Sequence, residues 1–277
     1  MIAGYVFNGR FVRGAELTIR VDQPFFAHGQ GLFETLRCFR KRPLFLRAHM
    51  ARMRTTADRL GLRGVPGDER VGADIALLLE SLGFADARVR LHLLCREDGG
   101  GDFLIAGDEV PPLAEIGKTI AVDLAAPIFA KGIAMAGLKT MNYMVNRLAE
   151  KDGLARGFDE ALFALPDGTL LEGTRTSIFF ANHGVLHTPS LELPILPGVT
   201  RAACIVLARR LGIEVREGSF PARELAGSDE AFLTGSVSGV RPIGKFGGGA
   251  LPAAPGPLTR RIAAAYWSMV TSGEDLP

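Results

Sequence analysis

The sequence predicts a mixed α/β protein, because segments of alternating apolar residues are interspersed along the chain with segments whose apolar residues recur at helical spacing. Hydrophobic residues make up 47% of the 277, enough for a sizeable core, and the length suits two domains as readily as one. The stretch 127–137 reads as a connector. It would separate an N-terminal α/β domain, 1–126, from a C-terminal domain, 138–277.

The chain opens with strands. YVFNGRFV sets Asn8-Gly9 between two apolar runs, a short-hairpin pattern, and LFETLRCF followed by PLFL predicts a second hairpin turning at Arg40 to Pro43. A helix follows over 47–60. Its apolar stripe is Met50, Met53, Ala57 and Leu60, and this spacing gathers His49, Arg52 and Thr56 on an adjoining face. A second helix is expected over 68–82, where Val71, Ile75, Leu78, Leu79 and Leu82 keep helical period and Gly83 can stop it. ARVRLHLLC is a strand with Val89, Leu91, Leu93 and Cys95 on one face and the cationic Arg88, Arg90 and His92 on the other. EDGGGD and 110–115 read as loops, and TIAVDLA as a strand.

Past the connector, a helix is expected over 144–154, then strands at EALFAL, GTLLEG and SIFFA, a His183-Gly184 turn and a strand before Pro189. A helix over 199–211, the strand IEVRE, a short helix at PARELAG, the strand AFLTG and a closing helix over 258–270 complete the chain. No internal repeat or low-complexity tract is present.

Composition excludes several classes of function. The formal charge of +2 is carried by scattered basic residues, which argues against nucleic acid as a partner. Asn8, Arg10 and Arg13 interrupt the start where a signal peptide needs its apolar core, and no apolar run reaches membrane-spanning length, so no membrane role and a cytoplasmic location are expected. Cys38, Cys95 and Cys204 have no CxxC spacing, which predicts reduced thiols and no zinc site.

The chain lacks a GxxxxGKS/T phosphate loop, a GxGxxG turn, a GxSxG elbow and an HExxH pair. His183 and His187 flank a turn without a third ligand, so no metal is expected. Lysine is more informative. Of the six lysines, five stand beside charges, glycines or turn residues, whereas Lys139 lies in IAMAGLKTMNYM with no acid nearby. Burial favours the neutral amine, which a Schiff-base lysine needs, although the position equally suits a lysine snorkelling from a domain edge. LPGVTR turns into a helix whose first amides, those of Val199 and Thr200, could hold an anion or form an ordinary capped start. TGSVSG offers further hydroxyls and amides. Glu172 ends an apolar strand, as an exposed strand-end acid also could.

In this order, HGQGLFETLR, HMARM, LKTMNY, LLEGTRTSIFF, LPGVTR and AFLTGSVSGVRPI resemble the fold-type IV pyridoxal-phosphate enzymes. That class IV aminotransferase family includes branched-chain and D-amino-acid aminotransferases and 4-amino-4-deoxychorismate lyase. The resemblance spans nearly the whole chain. It implies a small N-terminal α/β domain, a larger C-terminal pseudo-barrel α/β domain, pyridoxal 5′-phosphate as cofactor, and a homodimer. It makes Lys139 the Schiff-base and proton-transfer lysine, and Glu172 the partner of the pyridine nitrogen. Arg52 becomes the phosphate-binding arginine, with Thr200, the Val199 amide, Ser236 and the Val237 amide as the rest of the phosphate cup. Tyr143 and Ser177 are further cofactor residues by the same resemblance, and Glu34 a substrate residue.

The implied reaction transfers an amino group between an amino acid or amine and a 2-oxo acid. The alternative is the lyase that forms pyruvate and 4-aminobenzoate, and a third reading is a non-catalytic pyridoxal-phosphate-binding protein. Departures from the pattern bear on substrate. Gln30 and Thr176-Ser177 replace commoner residues, Gly239 matches the lyases where many aminotransferases carry glutamate, and EDGGGD lacks the Arg-x-His pair of a D-alanine-type pocket. The strand face of Arg88, Arg90 and His92 is the expected carboxylate grip in its place if it points inward, and plain exposed surface if it does not.

Overall fold

Three tight turns set the strand pairing in the computed structural model, which describes residues 4–126 and 137–274. Asn8-Gly9, Arg40-Lys41 and His183-Gly184 each place two successive residues at positive φ, 48° and 82°, 49° and 64°, and 51° and 80°. Turns of this hand match the right-handed twist of the strands that they join, so each folds its flanks into an antiparallel pair. Among the described residues, 4–113 and 139–142 form one unit, and 114–126, 137–138 and 143–274 form another.

The first unit contains β1 (Gly4–Phe7), β2 (Arg10–Arg13), α1 (Pro24–His28), β3 (Gly31–Phe39), β4 (Arg42–Pro43), α2 (Leu46–Leu60), α3 (Asp68–Leu82), β5 (Ala87–Cys95) and β6 (Gly101–Glu109). Its six strands pair antiparallel in the order β2-β1-β6-β5-β3-β4. One face carries Leu32, Leu36, Val89, Leu91, Leu93 and Ile105, and it packs against Met50 and Met53 of α2 and Val71, Ile75, Leu78 and Leu79 of α3. Each of these large side chains contributes about 1.5–3 kcal/mol by leaving water. On the opposite face, Phe33, Thr35 and Arg37 stand across from His92, Arg90 and Arg88. The helix expected over 68–82 has those bounds, and Gly83 ends it in the left-handed conformation, φ 72°.

The loop expected at EDGGGD ends at Gly100, because Gly101 and Asp102 already pair with Cys95 and Leu94. β6, to which they belong, was not assigned from the sequence.

The second unit contains β7 (Ile120–Leu124), α4 (Met144–Ala155), β8 (Glu160–Ala164), β9 (Leu170–Gly173), β10 (Ser177–Asn182), β11 (Val185–Pro189), α5 (Val199–Arg210), β12 (Val215–Gly218), α6 (Ala222–Ala226), β13 (Glu230–Gly235), β14 (Gly239–Phe246), β15 (Gly249–Ala250) and α7 (Pro257–Ser272). Nine strands form a mixed sheet in the order β12-β11-β10-β13-β14-β7-β8-β9, with β15 beside β14. α5 packs on β13, α7 on β13 and β14, and α4 on β7 and β8. β7 was expected to close the N-terminal domain at residue 126. It instead pairs in parallel with β14 and β8, because Ile120 and Val122 are buried in the second unit's core with Leu162, Leu233 and Ile243. Ten of the eleven connector positions, 127–136, lie outside the described residues. No helix among the described residues is long and apolar enough to cross a membrane.

Candidate active site

The candidate residues of the first unit begin with β3. Its alternation puts Glu34 in the same row as Leu32, Leu36 and Cys38, so a carboxylate enters the apolar face. It is completely buried. Arg52 and His49, three residues apart on α2, reach it together: Arg52 Nε donates to Glu34 Oε1 at 2.7 Å, and Arg52 Nη2 to Oε2 at 2.6 Å. The His49 Nδ1–H adds a bond to Oε2 at 2.7 Å. Burial by itself raises the Glu34 carboxyl, but the Arg52 guanidinium and, after it, His49 together offset that and hold it well below the usual carboxylate range. Burial also lowers the His49 imidazole, against the pull of Glu34, so the ring is neutral. Glu34 was expected to meet substrate. With no exposed surface and both oxygens engaged, it meets Arg52 and His49.

Lys139 lies on the other side of β3. Its carbonyl accepts the Phe33 N–H at 3.1 Å, the Met141 N–H donates to the Gly31 carbonyl at 2.9 Å, and Thr140 bridges to Leu32. The backbone of the lysine is therefore zipped onto the first residues of the strand. Its Nζ stands 4.5 Å from the centre of the Phe33 ring, over the electron-rich face. Phe33 in turn stacks on His92, with ring centres 6.3 Å apart.

Burial, then the Arg90 charge, pushes the His92 imidazole down to about 4, so it is neutral near pH 7. The strand face expected to be cationic is thus only partly so. Arg88 and Arg90 both donate to Asp108 Oδ2, at 2.7 and 3.0 Å, and the Arg90 side chain remains 38% exposed.

In the second unit, Glu172 ends β9 at 5% exposure, and both of its carboxylate oxygens accept the Leu196 N–H at 3.1 Å. Leu196 precedes the Pro197-Gly198 turn into α5. Gly198 packs closely, since a Cβ there would come within 2.6 Å of the Ser177 Oγ on β10 and displace that hydroxyl. α5 starts with no side-chain cap, and Thr200 in its first turn is 2% exposed with its hydroxyl buried and unpartnered among the described residues. An unpaired buried hydroxyl costs about 1–3 kcal/mol, and here it lies where a helix offers its free amides and positive dipole end. This arrangement favours an anion with several acceptor oxygens.

Ser236 and Val237 are half-buried in the turn that joins β13 to β14, and β13 lies beside β10, with Ser177 opposite Thr234.

Tyr143 precedes α4, and its hydroxyl donates to the Thr174 carbonyl at 2.6 Å; Asn146 donates to the same oxygen at 2.7 Å. Burial, then the Glu172 charge, raises the phenol above its ordinary value. A phenol has one proton, so to donate to a ligand Tyr143 must leave this carbonyl, which Asn146 would keep satisfied. The departure at Thr176-Ser177 also has a structural counterpart: the Thr176 hydroxyl donates to the buried Glu160 at 3.3 Å, and Glu160 accepts the Thr174 N–H at 3.2 Å as well. His49, Asn146, Glu160 and Thr174 were missed as supporting residues. The one signal that could have found the first cluster is a glutamate on the apolar row of β3.

The family model for class IV amino-transferases matches residues 31–246. The branched-chain-amino-acid aminotransferase of Escherichia coli K12 is 28% identical over 297 aligned residues, covering 97% of this chain and 94% of the relative. The aminodeoxychorismate lyase of Bacillus subtilis is 26% identical over 254, covering 86% and 85%. Among solved structures, the branched-chain aminotransferase of the archaeon Thermoproteus uzoniensis with norvaline superposes with a TM-score of 0.89 at 27% identity, covering 99% of this chain and 96% of that one.

Proposed function

The chain belongs to the class IV amino-transferases, a family of pyridoxal 5′-phosphate enzymes, and from that premise we propose that Lys139 anchors the cofactor and moves the proton as an amino group passes between an amino acid and a 2-oxo acid. The residues present fit the cofactor, and the observation that carries the fit is the buried, unpartnered Thr200 hydroxyl at the uncapped start of α5. In this reading Thr200, the Val199 amide, Ser236, the Val237 amide, Ser177 and Arg52 are the candidates to receive phosphate oxygens.

When bound, the pyridoxal ring supplies an electron sink for the pair left on the substrate's α-carbon. Glu172, fixed by the Leu196 N–H, offers its carboxylate to the ring nitrogen. Lys139 Nζ would carry the proton from the α-carbon to the cofactor's C4′ in one half of the cycle and back again in the other. Its zipped backbone leaves only the side chain to swing. Tyr143 would leave the Thr174 carbonyl, which Asn146 keeps satisfied, to donate its hydroxyl proton to the cofactor.

The assay is direct. The relatives' names make leucine, isoleucine and valine the first donors to test, with 2-oxoglutarate as acceptor; glutamate formation is the expected result. Pyruvate release from aminodeoxychorismate without an acceptor would favour the lyase, as the similarity to the B. subtilis enzyme does. Gly239 does not decide between them, because its left-handed backbone, φ 64°, accounts for glycine by itself.

Arg90, half-exposed on the sheet face that carries Phe33, is the candidate grip for a second substrate carboxylate. His92, being neutral, would supply a hydrogen bond there and no charge. Arg90→Ala is expected to raise KM for glutamate and 2-oxoglutarate about tenfold, with kcat within about twofold. An unchanged KM removes Arg90 from the pocket.

A cytoplasmic homodimer completes the reading. Three buried free thiols suit a reducing compartment, and Met144 and Val145 leave apolar surface exposed on α4, as a subunit contact would need. Sedimentation analysis tests the dimer.

A further inference from the structure

We infer that Glu34 and His49 are positioning residues for Arg52: a carboxylate sunk in the core row of β3 fixes the plane of the guanidinium, and the His49 imidazole fixes the carboxylate. The inference rests on the reading that Arg52 meets the cofactor's phosphate. Glu34 bonds one edge of the fork, through Nε at 2.7 Å and Nη2 at 2.6 Å. Two parallel bonds to a planar group define both its tilt and its rotation, which one bond cannot do. Arginine carries a large rotamer entropy when free, and this clamp removes it before any ligand arrives.

His49 closes the arrangement from the same helix face. Its side chain and that of Glu34 have no exposed surface, and its Nδ1 lies 2.7 Å from Oε2, the oxygen that also accepts Arg52 Nη2. Facing a charged carboxylate, Nδ1 must carry the proton, a tautomer assigned from this network. Nε2 is then a bare acceptor, buried and unpartnered among the described residues. The histidine therefore adds a second bond to Oε2, which holds the carboxylate against rotation away from the guanidinium.

Apoprotein of the wild type and of Glu34→Gln, His49→Asn, His49→Leu and Arg52→Ala is titrated with pyridoxal 5′-phosphate and with pyridoxal, which lacks the phosphate. The quantity read is the ratio of the two affinities, with thermal melting of each apoprotein alongside. Glu34→Gln and His49→Leu are expected to lower the ratio at least about tenfold while pyridoxal binding stays within about twofold. His49→Asn, whose amide N–H can replace Nδ1–H, should keep the ratio near the wild-type value. A purely scaffolding role would weaken both ligands together and leave the ratio unchanged, which overturns the inference. Should Glu34→Gln fail to fold, the two His49 variants carry the same comparison. If Arg52→Ala collapses the ratio but Glu34→Gln and His49→Leu do not, the positioning role alone is wrong. If Arg52→Ala itself leaves the ratio intact, the phosphate reading of Arg52 falls, and the inference falls with it.

Discussion

Lys139→Ala is expected to lose amino-group transfer by about 10⁴-fold or more, because in the proposed reading one substitution removes both the covalent anchor and the proton carrier. The variant should fold normally. The lysine is half-buried, and the contacts that secure its segment are backbone bonds from Phe33 and Met141 that alanine retains. Borohydride reduction of the loaded wild type, followed by peptide mapping, should label the peptide that carries Lys139. Label on Lys118, Lys151 or Lys245, or full activity in Lys139→Ala, would remove the lysine from the chemistry.

Glu172→Gln is expected to lower kcat on the order of 10²–10³-fold with little change in stability. The amide oxygen of glutamine can still accept the Leu196 N–H, so the turn into α5 keeps its anchor and only the negative charge is lost. If that charge pairs with the ring nitrogen, the half-reaction slows at proton removal from the α-carbon, and the absorbance of the loaded protein should change with it. A variant with wild-type kcat would reduce Glu172 to a structural acceptor for Leu196.

Much of this was readable from the amino acids, and the failures have physical causes. Asn8-Gly9 and His183-Gly184 turn where expected because positive φ at two successive residues is a local property that those side chains tolerate. α3 was bounded correctly because Val71, Ile75, Leu78 and Leu79 repeat at 3.6 residues and Gly83 stops the run. β6 was missed because three glycines hide its start. β14 was missed because Gly239, Pro242 and Gly244 weaken the strand pattern, although Pro242 sits opposite Phe232 within the ladder. The boundary at residue 126 failed for another reason. Ile120 and Val122 look alike whichever core receives them, and only parallel pairing with β14, more than a hundred residues away, decides it.

At the candidate site, single residues with distinctive local chemistry were legible: a lysine away from acids, a Pro-Gly turn into a helix, and a carboxylate at a strand end. What sequence order hides is which side chains share a partner. Glu34 is 15 residues from His49 and 18 from Arg52, and nothing local joins them. The sheet register and the helix phase bring them together.

The double acceptance of one amide by Glu172 has a geometric consequence. Leu196 is two residues from Gly198, so its N–H ties the acid on β9 to the short stretch of chain that leads into the start of α5, and the two are held at a fixed separation. In the proposed reading the second unit thus works as a fixed gauge. A molecule that offers a protonated ring nitrogen at one end and a polyanion at the other is measured for length as well as charge, and an analogue with a longer or shorter arm between those ends must give up one grip to keep the other.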